Sequence, residues 1–347
     1  MPGRVDQPTR ASALGIYIAT YTSPSSFPDE VWTALRQNER AANVILPQAQ
    51  TVVMEGKQVS GQYWITCSTA LSPTAKPRLE FILSCSEWRM GTYPVFIVST
   101  LPTSSLTPSF LAPRVAMLVT ELYACVRTER VYSIFAPAPL AKSFAQAWSN
   151  VTGVELEEYP YYAARFSHCS KRTFVDRSQS PSSLDLNYSL RMACEADIPG
   201  VAALCKGFAS ESDPFFLDDD GALKEAVYLV SNKFAWIHEV IHDGISEVAC
   251  LVATTRNSDN VHTITKVYTP PKWRKRGCAE RLVRHVSKYA LFTLRKQWVV
   301  LYVAHNNPAA AKVYDKVGFS GLCGKPRVEG IDDWVEIGCR SAELGHW

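Results

Sequence analysis

No unbroken apolar run in the 347 residues approaches the roughly 20 needed to cross a bilayer, and the opening "MPGRVDQPTRASALGIYIAT" has no sustained apolar core of a secretion signal. The expectation is a cytoplasmic protein with no membrane partner. Neither sign of charge is in excess: 36 basic against 33 acidic side chains leave +3, so no global field draws nucleic acid, and any basic site must be local. The ten cysteines form no C-x-x-C pair and no zinc-like spacing with histidine, which excludes a metal site and suits buried thiols in a reducing compartment. Also missing are G-x-x-x-x-G-K-[ST] and G-x-G-x-x-G, and with them the nucleotide triphosphatases and dinucleotide enzymes.

What is present is enough apolar content, 47 %, to bury a sizeable core, in a chain long enough for two domains. "RSQSPSSLDLN", 177 to 187, breaks the apolar periodicity and reads as a connector, which sets expected domains at 1–182 and 183–347. "STLPTSSLTPSFLAPR", 99 to 114, reads as a long loop inside the first.

The second half has the clearer pattern. A strand at 188–192 leads to a helix near 198–208, with Asp197 as its expected cap. "KFAWIHEVI" and "EVACLVATT" make two strands joined by an "HDG" turn, and "VHTITKVYT" makes a third. Ala279, Val283, Val286 and Ala290 then recur at helical spacing. "WVVLYV" is apolar throughout, as a strand covered on both faces must be. In "NNPAAAKVYDKVGF", Asn307 caps a helix, Pro308 opens it and Gly318 ends it. A final strand pair is expected at 319–322 and 334–339. The fold class is α+β with a mixed sheet.

The first half reads as a degenerate copy of the same order or, alternatively, as an accessory domain. "FILSCSEW" and "VFIVSTL" parallel the hairpin, and "VAMLVTELYACVRTERVYSIFAPAPLAKSFAQAW" parallels the helix, strand and proline-opened helix that follow it. Its loop has no glycine, so it is not expected to hold a phosphate.

Between the third strand and the helix lies "YTPPKWRKRGCAERL", residues 268–282. A strand, a glycine turn and a helix N-terminus aim several backbone N–H groups at one spot, where the helix dipole also favours an anion. Gly277 lets the main chain come close, and Lys272, Arg274, Lys275 and Arg276 add positive charge. Taken alone, the stretch is open between a phosphate or diphosphate site, an ordinary charged turn and a nucleic-acid patch. The last is the weakest, with one short basic turn and only Trp273 to stack on a base.

Together, "VYTPPKWRKRGCAERLV" and "NNPAAAKVYDKVGF" resemble the two signature regions of the GNAT superfamily of acyl-CoA-dependent N-acetyltransferases. Arg274, Gly277 and Ala279 match its [RQ]-x-x-G-x-[GA] loop, and Asn307, Ala310, Tyr314, Gly318 and Phe319 match the second region. The resemblance covers about residues 188 to 340 and implies a mixed-sheet GNAT fold, in this chain two tandem GNAT-like domains. It further implies acetyl-CoA as acyl donor, its diphosphate held by the amides of Arg274, Lys275, Arg276, Gly277, Cys278 and Ala279. Val267 and Tyr268 would bond the pantetheine arm through their backbone, Asn307 and Ala310 would flank it, and Tyr314 would protonate the departing thiolate. Cys278 stands where the family more often has an apolar or aromatic residue and reads as a small buried side chain.

For the base that frees the acceptor amine, Glu239 is the candidate, with His262 or an ordered water as alternatives; His238 faces the other way by two-residue alternation. Glu211, Asp213 and Asp218 to Asp220 form an acidic patch that either attracts a cationic amine or is a solvated loop face. The expected function is transfer of an acetyl group to a primary amine of a small molecule by direct attack. The alternative is a catalytically inactive acyl-CoA-binding or protein-interaction module. Nothing in the sequence sets the acceptor or the oligomeric state.

Overall fold

The computed structural model describes residues 10–11, 15–56, 60–70, 72, 75–88, 90–177, 187–242, 245–340 and 342–345. The chain forms two compact units, Met1–Ala164 with Asp332–Trp347, and Arg165–Ile331. The connector expected around residue 182 and the "DG" of the "HDG" turn lie outside the described residues.

In the first unit, strands Ile16–Tyr21, Tyr63–Thr69, Arg78–Cys85 and Val95–Ser99 run antiparallel in sequence order, and Val95–Ser99 continues parallel to Ser133–Pro137. Helices Pro108–Cys125 and Ala138–Thr152 cover one face, burying Leu118, Leu122, Phe144 and Trp148 against Ile65, Leu83 and Ile97. The loop expected over 99–114 is shorter than its prolines suggested. Thr107 caps the helix at its start and Pro108 sits at its first turn, where the missing N–H costs nothing.

One strand here is contributed by the far end of the chain. Asp333–Gly338 pairs antiparallel with Ser133–Pro137, from Trp334 opposite Pro137 to Gly338 opposite Ser133. This corrects the final strand pair expected at 319–322 and 334–339. Residues 319–322 form no strand; instead the Ser320 N–H donates to the His168 carbonyl at 3.0 Å and the Ser167 hydroxyl donates to the Ser320 carbonyl at 2.7 Å.

In the second unit, Asn187–Met192, Ala235–His242, Ile245–Ala253 and Lys266–Tyr268 form an antiparallel sheet in that order. Helices Ile198–Ser210 and Asp219–Ser231 pack on one face around Val201, Leu229, Ile237 and Leu251. Helix Cys278–Lys288 packs on the other, burying Leu282, Val283 and Val286 against Trp236, Val240, Cys250 and Val252. Each such side chain contributes about 1.5–3 kcal/mol by leaving water, which fixes the helix to the sheet. Asp197 does not cap its helix through its side chain: the carboxylate accepts from the Cys194 N–H at 2.8 Å and pairs with Arg191 at 2.6 Å. Asn307, Pro308 and Gly318 do open and close Pro308–Val317, with Gly318 at φ 110°.

Candidate acyl-CoA site

The stretch expected as one strand at 261–269 is two. Val261–Thr263 runs parallel to Trp298–Ala304, and the Ile264 N–H still donates to the Val300 carbonyl at 2.9 Å. At the next residue the Thr265 N–H donates to the Ala253 carbonyl at 2.8 Å, and Lys266–Tyr268 pairs with Leu251–Ala253. The chain changes neighbours within two residues. It therefore parts from Trp298–Ala304 and leaves one edge of Lys266–Tyr268 off that strand's ladder. Val267 and Tyr268, the residues expected to meet a pantetheine arm, lie on this edge segment, both half-buried.

Directly after it, Pro271–Trp273 makes one tight turn, Arg274 is extended, and Lys275 and Gly277 adopt left-handed φ of 60° and 76°. Gly277 is the first residue of the helix cap, and among the described residues no side chain caps the amides behind it. Unfilled donors at a helix N-terminus suit an anion. The cations of the loop are only partly free to serve it. Lys272 pairs with Glu247, Arg274 pairs with Glu211 and donates to the Thr269 carbonyl at 2.9 Å, and Arg276 lies over the Trp273 ring at 5.1 Å. Lys275 is exposed.

Cys278 is the first helical residue and 3 % exposed; burial pushes its thiol up from the ordinary value, although Arg281 and Arg276 oppose the shift. A thiol raised in this way is a packing group rather than a nucleophile. Ala279 and Ala310 are half-buried against the same apolar cluster. Asn307 is exposed and its Oδ1 accepts from the Ala310 N–H at 3.0 Å, so its side-chain carbonyl serves the helix. Tyr314, on the same helix, is 7 % exposed, with its ring 5.8 Å from that of Phe319. Burial, with a smaller contribution from Cys250, raises its hydroxyl well above the ordinary tyrosine range.

Glu239 is placed differently from what a base requires. Its carboxylate accepts from Ser189 at 2.7 Å, from Arg191 Nε at 2.9 Å and Nη2 at 3.1 Å, and from Ser246. Arg191 first, then Ser246 and Ser189, bring it down to about 2, which makes it a tie across three strands and a very weak proton acceptor. His238, as expected, turns to the opposite face. It is 1 % exposed, stacked on Tyr188 with centroids 4.8 Å apart, and burial followed by Arg281 brings it down to about 4. His262 is also brought down to about 4 by burial and Lys296, and lies on the segment still paired with Trp298–Val300, before the strands part. In the acidic patch, Asp218 caps the Gly221 N–H at 2.7 Å, Asp219 pairs with Lys206, and Glu211 takes Arg274 and the Tyr268 hydroxyl.

Two residues around the loop have ties to it that motif and spacing did not give. Glu211 ties the end of Ile198–Ser210 to Arg274, and Arg281 donates from Nη2 to the Arg276 carbonyl at 2.7 Å. For Arg281 a signal was available: it stands four residues after Gly277, one helical turn, which brings its side chain back over the loop.

Residues 232–320 match the family model described as an acetyltransferase (GNAT) domain. No curated protein matches the chain in sequence. Among solved structures, a tandem GNAT protein from the clavulanic acid biosynthesis pathway is 12 % identical with a TM-score of 0.51, over 95 % of this chain and 100 % of that one. A GCN5-related N-acetyltransferase from Sphaerobacter thermophilus is 11 % identical with a TM-score of 0.51, over 92 % and 94 %. A Drosophila protein is 13 % identical with a TM-score of 0.54, over 89 % and 94 %. At these identities the likeness is one of fold, and it extends over both units. Residues 232–320 thus carry a GNAT-type acetyltransferase domain by sequence, and the chain as a whole shares the mixed-sheet fold of a tandem GNAT protein.

Proposed function

We propose that the chain is an N-acetyltransferase that moves an acetyl group from acetyl-CoA to a primary amine of a small molecule by direct attack. The observation that carries the reading is the uncapped helix N-terminus at Gly277 directly after strands that part, because free amides suit a diphosphate and an open strand edge suits an extended amide-bearing arm. Acetyl-CoA supplies the thioester: the neutral amine nitrogen bonds to its carbonyl carbon, the C–S bond breaks with the sulfur leaving as thiolate, and the nitrogen gives up its proton to solvent.

The chain's own groups do the rest. The amides of Lys275 to Ala279 hold the diphosphate, that of Arg274 already donating to the Pro271 carbonyl at 3.2 Å, while Val267 and Tyr268 bond the arm through their backbone and Asn307 and Ala310 flank it. Tyr314 meets the departing sulfur. Its raised pKa keeps the hydroxyl protonated at neutral pH, and since a thiol ionises near 8.5, full proton transfer from Tyr314 runs uphill. Tyr314 therefore acts as a hydrogen-bond donor that stabilises the thiolate, which solvent then protonates. A carboxylate held to about 2 does not deprotonate an alkylammonium, so Glu239 is not the base in this scheme and the amine reacts from its neutral fraction.

The engagement of Glu239 favours a second reading as well, a module that binds acyl-CoA without turning it over. Both are tested by following CoA release with a thiol reagent across a panel of primary amines, beside thermal unfolding with and without acetyl-CoA. Turnover that drops by about 100-fold in kcat for Tyr314→Phe, with KM little changed, is the expected result. Thermal protection by acetyl-CoA without CoA release for any amine would leave the binding module alone standing.

A further inference from the structure

We propose that Arg281 is a positioning residue for the diphosphate, holding the cradle from behind so that the Gly277 N–H is presented to the ligand; the inference rests on the acyl-CoA reading above. Arg281 takes the carbonyls of two successive peptides. Its backbone N–H bonds the Gly277 carbonyl at 3.1 Å, the first turn of the helix, and its guanidinium Nη2 bonds the Arg276 carbonyl at 2.7 Å. In a planar trans peptide the C=O and the following N–H point opposite ways, so a carbonyl held on one side fixes the next amide on the other. Tying down the Arg276 carbonyl aims the Gly277 N–H away from Arg281.

The guanidinium is itself braced. Nε donates to His238 Nε2 at 3.2 Å, and the group lies 4.9 Å from the Tyr188 ring centroid, while Tyr188 stacks on His238 at 24°. Such stacking suits the planar guanidinium and not an ammonium. His238 is buried and accepts through Nε2, so at neutral pH it is an uncharged support rather than a rival cation. Gly277 is needed for this arrangement in a second way besides its φ. A Cβ placed there would come within 2.9 Å of Arg281 Nη1, so the guanidinium packs where any other residue would carry its side chain. The brace thus comes from two sheet strands, Asn187–Met192 and Ala235–His242, and acts on the loop through one side chain.

The test uses the full chain, with Arg281→Lys, which keeps the charge but cannot bridge His238 and the Arg276 carbonyl together, and His238→Phe, which keeps the aromatic stack and removes the acceptor. Titration calorimetry with CoA gives Kd; initial rates below saturation give kcat/KM with acetyl-CoA and with acetyl-pantetheine, which has no diphosphate. One oriented hydrogen bond to a charged group corresponds to at least about tenfold, so Kd for CoA is expected to rise about tenfold in Arg281→Lys and less in His238→Phe. The kcat/KM for acetyl-CoA falls in parallel and that for acetyl-pantetheine stays within about twofold, a split that general loosening of the fold does not produce. Equal losses with both donors, or no loss with either, overturn the inference while leaving the acetyltransferase reading intact. A wild-type chain that does not bind CoA overturns both.

Discussion

The loops at 269–277 and 100–107 occupy the same place in the order strand, loop, helix, and they differ in what meets the helix N-terminus. In the first unit the Thr107 hydroxyl accepts from the Phe110 N–H at 3.4 Å and Pro108 removes a donor altogether, so two of the first-turn amides are satisfied internally or absent. In the second unit Gly277 offers no side chain and Cys278 at the first helical position keeps its N–H. The two helix starts thus differ at two residues in the donors they leave open, with the helices themselves alike in kind. The comparison also shows that loop charge is a poor guide. Of the four cations next to Gly277, Lys272 and Arg274 are paired with carboxylates and Arg276 lies over Trp273, so much of the loop's charge is already engaged.

The sharpest way to break this contrast is Gly277→Ala. It forces a Cβ into a left-handed φ, at a cost of about 1–2 kcal/mol, and drives it against Arg281. Acetyl-CoA is expected to lose its thermal protection of the chain entirely; full protection in this variant would show that the cradle is elsewhere. A smaller effect comes from acid. His238 and His262 sit at about 4 against 6.5 when exposed, so the unfolded chain binds more protons between those values. Their contribution to stability is complete above pH 6.5 and is lost as pH falls toward 4. Asp197 and Glu239, both down to about 2, add stability that is present above their ordinary values of 3.8 and 4.5 and is lost below them. The unfolding midpoint should therefore fall in two stages on acidification, with the upper stage shrinking in His238→Phe; a flat profile from pH 6.5 to 4 would contradict these burials. The mildest change is Thr107→Ala, which exposes the Phe110 amide at a cost of up to about 1 kcal/mol. It should leave acetyl-CoA affinity untouched, because Pro108 still withholds its donor, and a gain in affinity would mean the first unit retains a latent cradle.

The parts of the site legible in the sequence are those set by a few neighbouring residues. Gly277, the cap at Asn307 with Pro308, and Gly318 declared themselves because φ preferences and capping act within one turn. Glu239 misled as a base for a physical reason: its partners Ser189 and Arg191 stand 50 and 48 residues away, and alternation along a strand gives the face of a side chain, not what it meets there. The single strand expected over 261–269 was continuous in pattern, and its division follows from hydrogen bonds to two different strands, Ile245–Ala253 and Trp298–Ala304. Spacing puts Arg281 one helical turn after Gly277, but its bracing by His238 and Tyr188, some 40 or more residues away in sequence, is visible only in the fold.

The sequence by itself determined where the chain turns and where helices begin and end, because those choices are made by local backbone preference and apolar period. Only the tertiary structure decided which polar groups keep a vacancy. The amides behind Gly277 stay open, the Glu239 carboxylate is filled, and Asp333–Gly338 pairs with a strand some 200 residues earlier, since hydrogen bonding is satisfied by whatever folding brings within 3 Å.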